Sequence, residues 1–303
     1  MDQELRFGVG TPQMVSWEKM VEQWKSIEAL GFDSVWIADQ FVICSKPTWP
    51  WFEGWTLLAG LATQTSRIRI GTLITAIPWH NPAFLARKAL TVDYISHGRL
   101  ELGLGTGVHG DCGHKMTGIE DWSPHERVER FREFVEIVDL LLRNEEVTYQ
   151  GRYYQLQEAA MNPSPIQNPR PPITIAAMGS VMLKHVAYYA DRWNTMGNFT
   201  GTFEERLENV QRQNSLLDKY CNEINRDPRT IRRSYVVYDP EMYVRDWEIP
   251  IYDSVDAIKD VVKCYREVGI TEFLLYYPIV EKQIPIFEQM AREVIPEIRK
   301  HYR

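Results

Sequence analysis

Along the chain, short runs of aliphatic and β-branched residues alternate with longer stretches whose apolar positions recur every three or four residues, the pattern of strands alternating with amphipathic helices. The clearest unit is TSRIRIGTLITAIPWHNPAFLARKALTVDYISHGRLELGLGTG at 65–107. Within it, 68–74 reads as a strand that exits at Thr75, and 82–96 carries Phe84, Leu85, Leu90, Val92 and Ile95 at a spacing closer to a helix than a strand. A second strand at 100–104 exits at Thr106-Gly107. Strand, helix, strand implies a parallel sheet covered by helices, with ligands at the carboxyl ends of the strands.

The same pattern predicts strands at 5–10, 34–38, 68–74, 100–104, 173–177, 192–195, 234–238 and 273–276. Helices are expected at 16–30, with Ser16 as N-cap and Gly31 as the stop, and at 55–64, 82–96, 124–143, 180–189, 202–222, 255–268 and 284–298. Residues 147–156 alternate around Gly151 like a small hairpin, 42–54 are irregular and rich in Pro and Trp, and 109–124 read as a second long loop. No linker or repeat interrupts the series. The expected architecture is a single (β/α)8 TIM barrel over residues 1–303, with inserted loops at the C-terminal face of the strands.

Composition narrows the class. A chain of 303 residues, 44% hydrophobic and 25% charged, suits one α/β barrel, and its net charge of −7 argues against a nucleic-acid surface and against attraction to anionic membranes. No run approaches the ~18 to 20 apolar residues of a membrane span. Met1-Asp2-Gln3-Glu4 passes into the first strand without a leader, so the expected location is the cytoplasm. Cys44, Cys112, Cys221 and Cys264 are dispersed with no CxxC pair, and are expected to be reduced. Trp49, Trp51, Phe52 and Trp55 lie close together among ten tryptophans, which suits either core packing under a long loop or an aromatic wall around a planar ligand.

Several positions could carry chemistry. Asp39-Gln40 stands at a strand exit, where a carboxylate can meet a ligand, although Asp there is also a common turn or capping residue. Thr106-Gly107 offers a hydroxyl and close backbone approach, whereas the GxGxG of 103–107 lacks the GxGxxG spacing and the following helix of a dinucleotide site. His109, Asp111, Cys112 and His114 would suit a metal by ligand type, but a solvated glycine-rich turn is the better reading and no metal is expected. His80 lies just past the third strand. Ala176, Ala177, Met178, Gly179 and Ser180 end the fifth strand and open a helix, where an anion is favoured or Ser180 simply caps, and Lys184 one turn on adds charge.

Four segments in order, GFDSVWIADQF at 31–41, NPAFLARKALTVDYISHGRLELGLGTG at 81–107, GRYYQL at 151–156 and PSPIQNPRPPITIAAMGS at 163–180, resemble the bacterial luciferase-like family of flavin- and deazaflavin-dependent oxidoreductases over roughly the first two-thirds of the chain. The resemblance implies a cofactor, F420 by slight preference or FMN, lying across the barrel mouth and exchanging hydride with a small organic substrate. A reduced-flavin monooxygenase and a non-catalytic flavin-binding barrel are the alternatives, and a homodimer is compatible with each. It places Asp39, Leu73, Ile74, Thr75, Thr106 and Gly107 against the cofactor, with a cis peptide at Leu73-Ile74 beneath its ring, and the cofactor phosphate at 176–180. Trp49 and Trp51 then face the substrate. Deazaflavin-using relatives often hold Asp-His where Asp39-Gln40 stands, an aromatic or acidic residue where Val108 stands, and a glutamate where His114 stands. An amide hydrogen-bonds but does not titrate, so the proton role passes to His109 or His114, with His80 or Asp39 next.

Overall fold

Each strand expected from the sequence is present. A computed structural model describes residues 4–198, 201–238 and 251–302; residues 1–3, on which the reading of a leaderless start rests, lie outside them. In chain order the elements are β1 (Arg6–Gly10), α1 (Trp17–Ala29), β2 (Ser34–Asp39), α2 (Gly54–Ala62), β3 (Arg69–Ala76), α3 (Pro82–Ile95), β4 (Leu100–Gly105), α4 (Cys112–Thr117) and α5 (Pro124–Arg143). There follow β5 (Glu146–Gln150), β6 (Gln155–Ala160), β7 (Ile173–Ala176), α6 (Ser180–Tyr189), β8 (Arg192–Thr195), α7 (Phe203–Glu223), β9 (Arg232–Val237), α8 (Ala257–Glu267) and β10 (Glu272–Tyr276). The last helical run is α9 (Ile284–Gln289), a wider π-type turn at Met290–Val294, and α10 (Ile295–His301).

The strands close into a barrel in the order β1-β10-β9-β8-β7-β4-β3-β2, while β5 and β6 form a separate antiparallel hairpin. By packing, the chain divides into two compact units, one of Met1–Pro12, Lys25–Trp36 and Ala176–Arg303, the other of Gln13–Trp24 and Ile37–Ile175. The first unit is built on stacked aromatics, Phe7 on Phe273 and Phe32 on Phe287 with ring centroids 5.9 and 5.2 Å apart, and encloses an Arg192–Glu272 ion pair at 2.5 Å. In the second, buried Leu58, Leu85, Ala86, Phe131 and Phe134 form the core, and the buried Arg99 guanidinium donates five hydrogen bonds to Ser96, Thr65, Ile68 and Ala62. A buried charge is tolerated where every donor is satisfied in this way.

Strands β3 and β4 are the part of the scaffold that shapes the site. Their pairing runs Ile70 with Leu100 and Gly71 with Glu101, then resumes at Thr75 with Leu104, so β3 holds one residue more than β4 over that interval. This is a bulge. Within it the Leu73–Ile74 peptide is cis, the geometry the resemblance implies. Room for it comes from β4: a Cβ on Gly103 would stand 1.9 Å from the Thr72 carbonyl oxygen, and one on Gly105 would stand 1.7 Å from Ile74 Cδ1. The glycine-rich run at 103–107 is therefore set by packing against a neighbouring strand.

Two expectations are corrected. The segment 109–124 is not a continuous loop but contains α4, started by the Asp111 side chain accepting from Gly113 N at 2.8 Å and ended by Gly118 at φ 72°. The cysteines are not all reduced: Cys44 and Cys112 form a disulfide, and only Cys221 and Cys264 are free. The two bridged residues are 68 positions apart, so spacing carries no trace of the bond; the exits of β2 and β4, which flank β3, bring their Cα atoms to 5.6 Å.

Candidate active site

The bulge leaves Leu73 and Ile74 half-buried in a strand whose neighbouring residues on either side are buried. Thr75 behaves differently. Its hydroxyl accepts a hydrogen bond from Trp55 Nε1 at 3.1 Å and shares another with Thr72 Oγ1 at 2.8 Å, so it is committed to the interior.

At the exit of β2, Asp39 is buried and its Oδ2 lies 2.6 Å from Nε2 of His80, which closes the 3-10 turn Ile77–Trp79 after β3. Both side chains are nearly enclosed, with 5% of His80 and 7% of Asp39 exposed. The Lys88 ammonium, on α3, lies 3.5 Å from His80 Nδ1. An ammonium only donates, so Nδ1 is the acceptor and the ring proton sits on Nε2, donated to Asp39. The result is a nearly enclosed carboxylate–imidazole pair whose Nδ1 side is lined by the exposed Lys88. Gln40, next in the chain, is exposed, and its carbonyl accepts from Trp51 Nε1 at 2.8 Å.

The loop after β4 is organised by Arg127, a buried residue near the start of α5 that was not singled out from the sequence. Its guanidinium donates to Trp122 O and Thr106 O, both at 2.9 Å, to His114 Nε2 at 2.9 Å, and to Asp121 Oδ1. A Cβ on Gly107, at φ 73°, would stand 2.9 Å from this group. The legible signal is an arginine in a first helical turn, where the helix dipole disfavours a cation. Burial pushes the Asp121 carboxyl up, but hydrogen bonds from Arg127 and Gly110 N and the charges of Arg127 and His109 outweigh it and hold it at about 2.

The two histidines of this loop are thereby placed. His114 is buried, with Nδ1 donating to Ile119 O at 3.1 Å and Nε2 accepting from Arg127, and its ring packs on Trp79 with centroids 4.6 Å apart. His109 lies at the surface, 55% exposed, with Nδ1 3.2 Å from Asp121. Cys44, Asp111 and Cys112 bring ligand atoms within 4.8 Å of one another, but both sulfurs are in the bridge. In the loop after β2, Trp49 is 42% exposed with Lys46 Nζ 4.2 Å from its ring centre, and Trp51 is half-buried. Trp55, by contrast, is core.

In the other unit, the backbone of Ala177 and Met178 is engaged, Ala177 N donating to Asn194 O at 3.0 Å and Met178 O accepting from Gln213 Nε2 at 3.0 Å. Ser180 is not the cap. The N-cap of α6 is Gly179, which lacks a capping side chain, and Ser180 is the first helical residue. A Cβ on Gly179 would meet nothing within 4 Å among the described residues. Lys184 Nζ lies 5.2 Å from the centre of the Tyr220 ring.

The fold is thus a closed parallel barrel with a bulged third strand, and a buried carboxylate–imidazole pair stands at the exits of β2 and β3. The chain belongs to the luciferase-like monooxygenase family, whose model matches residues 4–234. It is 33% identical over 316 residues to the F420-dependent glucose-6-phosphate dehydrogenase of Kineococcus radiotolerans, with 90% of each chain covered. It is 28% identical over 166 residues, 53% of this chain and 43% of the other, to the oxygenase component of the flavin-dependent trigonelline monooxygenase of Acinetobacter baylyi. An F420-dependent secondary alcohol dehydrogenase, solved with an F420–acetone adduct, shares the fold with a TM-score of 0.80 at 20% identity, covering 96% of this chain and 100% of that one. Among the described residues no helix is long and apolar enough to cross a membrane.

Proposed function

We propose that this chain uses F420 to move a hydride to or from a carbon of a small organic substrate, with Asp39 and His80 handling the accompanying proton. The observation that carries this reading is the buried His80–Asp39 hydrogen bond at 2.6 Å, at the exits of β2 and of the bulged strand β3. When bound, the cofactor supplies the hydride acceptor or donor. The chain supplies position and a proton site. Leu73, Ile74, Thr106 and Gly107 are assigned to the ring, Ala176, Ala177, Met178, Gly179 and Ser180 to the phosphate, and Trp49 and Trp51 to the substrate. The open, side-chain-free cap at Gly179 fits a phosphate.

For an alcohol substrate, the hydroxyl proton passes to His80 Nδ1 as the carbon gives up hydride, and Asp39 stabilises the imidazolium at Nε2. Run backwards, the imidazolium returns that proton to a carbonyl oxygen. A barrel that only sequesters a flavin has no use for such a pair. F420 is favoured over FMN because the F420-dependent relative aligns over 90% of this chain and the flavin-dependent one over 53%. The second reading, a reduced-flavin monooxygenase, is favoured by Gln40, which does not titrate.

Fluorescence titration of the purified protein with F420 and with FMN, followed by absorbance of the loaded protein mixed with alcohols and ketones, tests the reading. Tighter F420 binding and bleaching or recovery of the deazaflavin band are expected. Tighter FMN binding with oxygen consumption after reduction moves the assignment to the monooxygenase.

A further inference from the structure

The Cys44–Cys112 bridge lies outside the chemistry described above, yet it joins the two loops that frame it. Cys44 is exposed and Cys112 half-buried, so a small reagent reaches the bond. The two loops are held unequally. The Cys112 side is anchored by Arg127 through four groups and by the Trp79–His114 ring contact. On the Cys44 side, the hydrogen bonds of residues 41–52 are local, Lys46 N to Ile43 O, Trp49 N to Lys46 O and Trp51 Nε1 to Gln40 O, apart from Gln13 Nε2 to Phe52 O and Cys112 N to Cys44 Sγ. The bridge thus pins a weakly tethered aromatic loop to a fixed post.

We propose that Cys44 and Cys112 form a reversible thiol–disulfide site, taken between states by a dithiol reductant and its disulfide, and that reduction releases the loop 41–52. In the reducing direction a dithiol thiolate attacks Cys112 Sγ; the bridge breaks and the electron pair leaves on Cys44 Sγ, which takes a proton. The reagent's second thiolate then attacks the mixed disulfide, freeing Cys112 as a thiol and leaving the reagent as a cyclic disulfide. Two electrons and two protons pass from dithiol to bridge. Cys112 N–H, 3.0 Å from Cys44 Sγ, favours the thiolate at Cys44 and makes it the better leaving group. The released loop carries Trp49 and Trp51, so on the functional reading above the switch acts on substrate contacts; the site itself does not depend on that reading.

The test uses the full chain without cofactor. Protein purified without reductant and then denatured should show two thiols to Ellman's reagent, those of Cys221 and Cys264, and four after native treatment with dithiothreitol. Chymotrypsin cleavage after Phe41, Trp51 or Phe52, read by mass, should rise about tenfold on reduction and fall again after oxidised dithiothreitol, since cleavage tracks the open population. The Cys44→Ser variant should be cut at the reduced rate in both conditions. Four thiols persisting after oxidised dithiothreitol, or equal cleavage in the two states, overturns the proposal. So does one equivalent of zinc held by the reduced protein and lost in Cys44→Ser, which would make Cys44, Asp111 and Cys112 a metal site.

Discussion

His114 accepts a hydrogen bond at Nε2 from Arg127 Nη2, 2.9 Å away, while its Nδ1 donates to Ile119 O at 3.1 Å. Each ring nitrogen is bonded inside the loop, the acceptor to the buried Arg127 guanidinium, whereas the partner of His80 Nδ1 is the exposed Lys88 ammonium, 3.5 Å away and free to swing aside for a substrate. His114→Gln is expected to lower the melting temperature while leaving the shape of the kcat–pH profile unchanged. A displaced pH limb in that variant would return the proton role to His114.

His80→Gln keeps a hydrogen-bonding amide beside Asp39 but removes the titrating ring. Turnover is expected to fall about 10² to 10⁴-fold with cofactor affinity nearly unchanged. Asp39→Asn should reduce turnover in the same direction, because the imidazolium loses its counter-charge. Single-turnover absorbance of the cofactor separates this from a binding defect; full turnover in His80→Gln excludes the pair.

Gly103→Ala and Gly105→Ala probe the β3–β4 fit. A methyl on Gly103 meets the Thr72 backbone oxygen at 1.9 Å, whereas one on Gly105 meets the movable end of Ile74 at 1.7 Å. Overpacking costs about 1 to 3 kcal/mol. Gly103→Ala is expected at or beyond the top of that range and Gly105→Ala below it, as read by denaturant unfolding; the opposite order contradicts the packing described.

The depressed Asp121 carboxyl gives a pH signature. A folded-state value of about 2 against an ordinary value of about 4 means that its contribution is complete above pH ~4 and is lost as pH falls towards ~2. The stability gap between the protein and Asp121→Asn should be constant from neutrality to pH ~4 and close below it. A gap that changes near neutral pH would point to His109 instead.

Gly179→Asp separates cap from ligand. Aspartate is a good N-cap and is tolerated by the open space there, so thermal stability should be kept or slightly raised, while affinity for a phosphate-bearing cofactor falls through like-charge repulsion. Unchanged affinity in a fluorescence titration would remove the phosphate from this helix start.

The barrel was legible because most of its strands are short apolar runs between helical stretches, the polar β8 being the exception, and because Gly31 at φ 81° and Asn81, accepting from Ala83 N at 2.9 Å, mark helix ends by local chemistry. What sequence could not pair was distant. Asp39 and His80 are each recognisable as strand-exit residues, but their contact spans 41 positions. The helix α4 carries too few apolar residues to show a period, and Arg127 reads as an ordinary surface charge until the loop it fastens is seen.

Ile74 occupies the volume that any side chain on residue 105 would need, and Gly103 yields the space taken by the Thr72 carbonyl. The β3 bulge and the glycines of β4 are thus matched parts of one fit. A chimera that takes Arg69–Ala76 from a straight-stranded barrel is expected to leave space beside both glycines, and one that takes Leu100–Gly105 alone to set a side chain at 103 against the Thr72 carbonyl and one at 105 against the movable end of Ile74. A crossover placed between β3 and β4 is therefore expected to separate the bulge from the glycines that make room for it.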